Sequence, residues 1–508
     1  MDKHQERQDL RPAGYAAIID MYGLDVIPNW HRSFVTESSQ RRTEIVESSV
    51  NEFYPVAYWP GDTWVDHIEF ALKYDGMNLA ILAALFERVQ EEELVVYVGS
   101  KPTGKYARRI WFLYEFMTGK SLSLDDAKQG NYIDLLAPND YYTAPARPSR
   151  RHRINDNLTG NSQFCPLIRR TQILRDFESA DLAGKSRRIV STYPLALLRR
   201  ALSYLYTKET KSSFEIEHIR PTSNRVERFV AMLQLAEQQD FCTKAQLIAL
   251  QNRIVDPRFA DKDYRSSQNY VGETVAWQRE RVHFVSPKPD DLPGLMEGME
   301  DAHRRMTECN IHPVIHAAAI SYGFVFLHPF EDGNGRIHRF LIHNILARRG
   351  FTPEGLMFPV SAVMLKHPAD YDASLEAFSR PLLTLVDYSL DEEGRMTVRN
   401  DTAKWYRYID MTTQAEALFR FMAQTIDTEL ADELAFLANY DRTKESIQAI
   451  VDMPDRMIDL FIRLCLQNNG NISAGKRKDH FESLSDSEIT RMEEVVRAAY
   501  GNRNVMDE

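Results

Sequence analysis

His328, Asp332, Arg336 and Arg339 follow one another at intervals of four, four and three residues within FLHPFEDGNGRIHRFLIHNILARRG, the segment from Phe326 to Gly350. An imidazole can take a proton from an attacking hydroxyl. A carboxylate can hold a divalent cation together with phosphate oxygens. Gly333, Asn334 and Gly335 stand between Asp332 and Arg336. Glycines just ahead of a helix N-terminus let backbone N–H groups approach an anion closely, and the helix dipole adds a favourable field. Arg336 and Arg339 share one helix face near that end. The composite is a polyphosphate site with a metal ligand, Asp332, and a general base, His328. A loop whose glycines only make a tight turn needs neither the histidine nor the arginines.

Other elements must hold these groups in place. The apolar run HAAAISYGFVFL, His316 to Leu327, reads as a buried helix that stops just before His328. After the loop, Ile337, Phe340, Leu341, Ile345 and Leu346 recur at helical spacing, so a half-buried helix runs from near Arg336 to Gly350. Upstream, SSFEIEH has the Ser212–Glu215 spacing of a capping box, which predicts a short helix from Ser212. Pro221 ends it by about Ile219. Ser213 and Glu217, four apart, face the same way. The stretch QNYVGETVAWQRERVHFVSP reads as a β-hairpin, the one clear β element of the chain.

The segment from His328 matches H-P-F-x-D-G-N-G-R-x-x-R at every defined position, and so resembles the signature of the Fic family. The resemblance implies ATP and Mg²⁺ as cofactors and transfer of AMP to a Ser, Thr or Tyr hydroxyl of a protein. It assigns His328 as catalytic base and Asp332 as Mg²⁺ ligand. Gly333, Asn334 and Gly335 become the anion hole. Arg336 is placed at the β-phosphate, Arg339 at the γ-phosphate, and Phe330 is a buried anchor of the loop. Ser213 and Glu217 match the family's inhibitory pattern S/T-x-x-x-E-G/N, which implies a Glu217–Arg339 pair; His218 stands where Gly or Asn is usual. The run from Arg265 to Met296 resembles the family's flap, with Thr274, Val275, Ala276, His283 and Phe284 as candidate target-docking residues. An exposed hairpin edge can pair with an extended target segment. A deAMPylase, a transferase of another nucleotide, and a nucleotide-sensing, DNA-binding regulator are the alternatives.

The wider chain sets bounds. It has 508 residues, 44% hydrophobic and 27% charged, with a net charge of −11, which excludes a whole-chain basic footprint for nucleic acid. Cys165, Cys242, Cys309 and Cys465 are scattered and form no C-x-x-C pair, so a disulfide framework is not expected and a reducing, cytoplasmic setting is. The opening residues lack a signal peptide's apolar run, and no stretch is long and apolar enough to span a membrane. The expected fold is mainly α: a Fic-domain helical core with a β-hairpin flap, flanked by helical N- and C-terminal regions. The boundaries are 1–194, 195–390 and 391–508, with the inhibitory helix at about 212–219, the flap at about 270–285 and the catalytic loop at 328–339. Residues 139–162, with PSRRHR, read as a solvated linker. His312 and His316 have a zinc-like spacing but no third ligand, and read as packing residues. The basic triplet Lys476–Lys478 and a winged-helix-like C-terminus leave nucleic acid as a weaker option than a protein target, self-modification or self-assembly.

Overall fold

A helix with no polar face has to lie inside a protein, and Pro313–Leu327 is such a helix. In the computed structural model, which describes residues 10–46, 49–276 and 279–500, it is the central rod of the largest core. Pro313 starts it, and the His312 ring nitrogen Nδ1 accepts from the Val314 N–H as a cap at 3.2 Å. Leu292–Thr307, Asn334–Arg348 and Thr412–Gln424 pack around it. It stops at His328, whose left-handed backbone, φ 49° and ψ 58°, turns the chain into the loop. Gly333, with φ 92°, caps the next helix, Asn334–Arg348, hereafter the motif helix.

The short helix expected at Ser212 is instead the last turn of a 21-residue helix, Leu195–Glu215. A capping box requires a non-helical Ser212, but the run from Leu195 contains no breaker and keeps its apolar residues turning inward. Ser212 is therefore interior, and its carbonyl accepts from the Ile216 N–H. The helix ends in a Schellman turn: Ile219 N–H donates to the Phe214 carbonyl and His218 N–H to that of Glu215. His218 occupies the left-handed position of this turn, with φ 57°. Glycine and asparagine suit that position because they tolerate φ > 0, and histidine is among the side chains enriched there.

One hydrophobic core runs from Tyr142 to Leu434 without a break at 194 or 390. Phe164 and Ile168 enter it from one side, and Trp405, Tyr406 and Leu418 from the other. Smaller cores organise the N-terminal helices Trp64–Tyr74, Leu79–Phe86 and Lys105–Thr118, and the C-terminal helices Asp455–Leu466 and Asp486–Tyr500.

The hairpin is not the only β element. Arg11–Ala13, His31–Thr36, Ser49–Pro55 and Arg42–Val46 form a four-stranded sheet in that spatial order, with a parallel central pair. Its signal is hidden because His31 and Ser33 point inward to the buried Asp75 carboxylate, so the alternation is partly polar-in. The 139–162 stretch is also not a free linker. Arg147–Ser149 and Ile154–Asp156 are strands of a three-stranded sheet, and Arg151 and His152 bind Glu115 at 2.8–3.1 Å. No strand follows Val398 among the described residues, so the winged-helix expectation is not met. Lys476–Lys478 lie on a seven-residue helix, with Arg477 paired to Asp486 of an acid-rich last helix. Among the described residues no helix is long and apolar enough to cross a membrane.

Phe164 tests the continuity of the core across 194. Its fully buried ring lies against Gly323 of the central helix. Phe164→Ala should destabilise the chain by about 3–5 kcal/mol, the range for deleting a buried aromatic side chain, in equilibrium denaturation. A loss below about 1 kcal/mol would mean that this segment packs as an independent layer.

Candidate active site

The loop after the central helix is held shut by its own residues. Phe330 is fully buried, and Asn334 closes the turn on it from both sides: Nδ2 donates to the Phe330 carbonyl at 2.7 Å and Oδ1 accepts the Phe330 N–H at 3.1 Å. The Asn334 side chain is thus a staple of the loop, and only its backbone N–H is free for an anion. Arg265, buried, donates from Nε to the His328 carbonyl at 2.8 Å and from its N–H to Pro329. Asn269 donates to the Phe330 carbonyl at 3.1 Å. Arg265 and Asn269 are the residues of the R-x-x-Q-N run that sequence placed at the start of the flap. Their bonds go to the loop that follows His328.

His328 is half-buried at the foot of the flap, its ring centroid 6.4 Å from that of Phe284. Its Nδ1 is 3.2 Å from the Val325 carbonyl, which can only accept. The proton therefore sits on Nδ1 and leaves the Nε2 lone pair to act as base. Burial pushes the imidazole down to about 4; the Val325 carbonyl works the other way without reversing it. At neutral pH the ring is uncharged, as a general base must be.

The motif helix opens its first N–H groups toward the space beside Gly335, where they lack intrahelical partners. A carboxylate already sits there. Glu217 Oε1 accepts from Arg339 Nη2 at 2.8 Å, and Oε2 lies 2.7 Å from Arg336 Nε as an ion pair. A Cβ on residue 335 would come within 2.5 Å of Glu217 Oε1, so glycine is what admits the carboxylate. Arg339 is nearly fully buried and also donates to Ser213 Oγ at 2.9 Å and the Ser213 carbonyl at 2.5 Å. Burial opposes its charge, but Glu217 and Tyr371 outweigh this and raise its pKa. The structure thus brings the Glu217–Arg339 pair together and adds Arg336, which sequence had not joined to Glu217. Tyr371, whose hydroxyl lies 3.5 Å from Arg339 Nη1, was also missed; nothing local to HPADYDAS marks it.

A second contact fixes the long helix on the motif helix. His343 Nε2 meets the buried Glu209 carboxylate at 2.6 Å, and Glu209 also accepts from the Ser361 N–H at 2.8 Å. Glu209 and His343 lie about one turn from Ser213 and Arg339 on the same two helices. Asp332, about half exposed, takes a hydrogen bond from Arg336 Nη2 at 2.6 Å and from the Gly333 N–H at 2.6 Å. A half-exposed carboxylate beside an anion cradle fits a Mg²⁺ ligand.

Among the described residues the flap strands, Tyr270–Ala276 and Arg279–Val285, pair only with each other, so their outer edges have no strand partner. Trp277 and Gln278, within the expected flap, lie outside the described residues, as does the Ala276 side chain. Thr274 and Val275 are exposed, with Thr274 Oγ1 donating to Glu280 at 2.5 Å. His283 is exposed and 3.5 Å from Glu273. Phe284 is corrected: only 7% exposed, it packs near Phe326, Phe378, Tyr406 and His328, and roots the hairpin rather than meeting a target.

One further cluster, Asp240, Cys242 and His303, brings its donor atoms within 4.8 Å of one another. Hydrogen bonding explains it without a metal. Arg349 Nη1 meets His316 Nδ1 at 3.3 Å, and a guanidinium can only donate, so His316 carries its proton on Nε2. That proton goes to His303 Nδ1, and His303 Nε2 then donates to Asp240. The nitrogen a metal would need is protonated, and Arg348 already pairs with Asp240 at 2.8 Å. His312 and His316 are a helix cap and a relay member, in keeping with the packing role expected of them.

Residues 241–346 match the Fic/DOC family model, a segment that includes the whole loop and all but the last two residues of the motif helix. Over this segment the chain is similar to that family. Over 122 residues it is 35% identical to "Protein adenylyltransferase Fic" of Aedes aegypti, covering 23% of this chain and 22% of that one. Over 114 residues it is 36% identical to the protein of the same name in Drosophila willistoni, covering 22% and 21%. The chain thus spans about a fifth of the length of these curated relatives. A crystal structure of a Fic family protein from Desulfovibrio desulfuricans G20 is 19% identical, covers 66% of this chain and 85% of that one, and superposes with a TM-score of 0.36.

The His328 ring gives a direct check of the electrostatics. In an NMR titration its imidazole should stay neutral down to about pH 4 and gain a proton only below that, because burial penalises the cation. A midpoint near the ordinary 6.5 would mean that the ring is open to solvent.

Proposed function

We propose that this protein is a self-inhibited adenylyltransferase that moves AMP from ATP to a Ser, Thr or Tyr hydroxyl of a protein. The observation that carries the proposal is the Glu217 carboxylate lying over Gly335 at the N-terminus of the motif helix, gripped by Arg336 and Arg339. A helix N-terminus with free N–H groups and two guanidiniums is an anion site. Here a side chain of the same protein occupies it. The adenylyltransferases it resembles over the Fic segment support ATP as the anion that competes with Glu217.

The residues divide the chemistry as follows. Withdrawal of Glu217 leaves Arg336, Arg339 and the N–H groups of the cradle to take phosphate oxygens. Asp332 is the residue that would hold Mg²⁺, which neutralises phosphate charge when bound. The His328 Nε2 lone pair accepts the proton of the target hydroxyl as its oxygen bonds to the α-phosphorus. The bond from that phosphorus to the bridging oxygen breaks, and pyrophosphate leaves with its electron pair. The open edges of the flap present main-chain groups to an extended target. Such a site works by positioning and charge stabilisation.

Label transfer from α-labelled and γ-labelled ATP, in wild type, Glu217→Gly and Glu217→Gly with His328→Ala, tests the proposal. Glu217→Gly should raise transfer from the α position about tenfold or more, the size of a freed two-state block. Adding His328→Ala should lower it by about 10²–10⁴-fold, the usual worth of a general base. Label from the γ position would make it a kinase-type enzyme. No label from either would leave the deAMPylase, other-donor and regulator alternatives.

Stability supplies an independent reading of the same switch. Glu217→Gly strands Arg339 as a buried charge and should cost about 3–5 kcal/mol. Mg-ATP should then raise the Tm of Glu217→Gly more than that of wild type. Equal shifts would mean that Glu217 and the nucleotide do not compete.

A further inference from the structure

Two guanidiniums converge on one phenyl ring beside the anion cradle. Arg336 lies over Phe214 at 5.2 Å and Arg225, from the first turn of the helix Ser223–Gln234, lies over the same ring at 5.1 Å. Both also reach one oxygen: the Ile254 carbonyl is 3.2 Å from Arg225 Nη2 and 3.5 Å from Arg336 Nη1. Phe214 is fully buried and precedes Glu217 by three residues on the inhibitory turn.

Like charges so close repel each other unless an anion lies between them. Glu217 serves Arg336 and Arg339, and Asp332 also serves Arg336. Arg225 has no carboxylate within ion-pair distance among the described residues, and its buried Nε has no partner. Burial and then the neighbouring Arg336 lower its pKa, and the more distant charges of Asp332 and Asp256 offset this only in part. Capping the last carbonyl of the helix Lys244–Ile254 accounts for one of its nitrogens. It does not account for the rest of the fork, or for its place against Arg336.

We propose that Arg225 is a third phosphate-binding arginine, which recognises the distal phosphates of a nucleoside triphosphate and so selects it over a monophosphate. The proposal rests on the nucleotide-transfer reading of the site. Three guanidiniums around one cradle outnumber the two carboxylates, Glu217 and Asp332, that pair with them, and the distal end of a triphosphate carries the additional negative charge. An arginine fork can bind two phosphate oxygens at once, which adds direction as well as charge. Sequence gives no hint of it, because SNRVERF lies about 110 residues from Arg336 and has no phosphate motif.

The test is calorimetric binding of Mg-ATP, Mg-ADP and AMP to the Glu217→Gly protein with and without Arg225→Met. Arg225→Met should weaken ATP by about tenfold, the worth of one charge-assisted contact, and leave AMP within about twofold. Equal weakening of ATP and AMP, or no weakening of either, overturns the proposal and leaves Arg225 as a helix cap. Arg225→Lys guards against a folding defect, since it keeps the charge and loses the planar fork. It should keep the Tm of the parent and lose about threefold or more of the preference for ATP over AMP; an unchanged preference counts against the proposal. If the Glu217→Gly parent binds none of the three nucleotides, the transfer reading itself fails, and that result is distinct from a failure at Arg225.

Discussion

A guanidinium buried as deeply as Arg339 needs an anion at all times. Here the anion is Glu217, and much of the surrounding architecture serves that contact. The long helix has to end where Glu217 faces the motif helix. The turn that ends it has to pass through a left-handed residue, which His218 supplies. Residue 335 has to lack a Cβ so that the carboxylate can reach the cradle. A second buried contact, Glu209 with His343 and Ser361, keeps the two helices in register about one turn away. The same arginines would face phosphate once Glu217 withdraws, so the group that stabilises the resting state is the one that must move for the proposed reaction.

His328, the proposed base, is arranged by a different set of constraints. His328 ends a helix that is apolar all round, and its backbone turns sharply because the helix cannot continue into the polar loop. Arg265 holds its carbonyl, Val325 fixes its tautomer and Phe284 covers its ring. The flap is thus tied to the base at its root and open along its edges. In the proposed reaction, target docking and proton abstraction would share one hairpin.

The local part of the site was legible in the sequence. His328, Phe330, Asp332, Gly333 and Gly335 lie within a few residues of one another, and a loop before a helix has a limited choice of shapes. The Ser213–Glu217 spacing also predicted a shared face correctly, although those residues lie on the end of a long helix and not on a new short one. What escaped came from distant segments or from polar interiors. The four-stranded N-terminal sheet was hidden because His31 and Ser33 point inward to Asp75. Arg151 and His152 read as exposed because Glu115, their partner, is about 36 residues away. Phe284 looked like a surface flap residue because alternation along a hairpin does not say which face meets the core.

The sequence by itself determined which groups the loop brings together, the helices on either side of it and the mainly helical class of the fold. These depend on residue types at short spacing, where backbone geometry leaves little freedom. Only the tertiary structure decided that one carboxylate bridges both arginines, that Arg265 and Tyr371 support the site, and that Arg225 stands beside it. Those contacts join segments tens to more than a hundred residues apart, and no local spacing encodes which of many arginines will be brought to one ring and one carbonyl. Burial made that selection, because the packing of a core shared from Tyr142 to Leu434 sets where each charged side chain can find an anion.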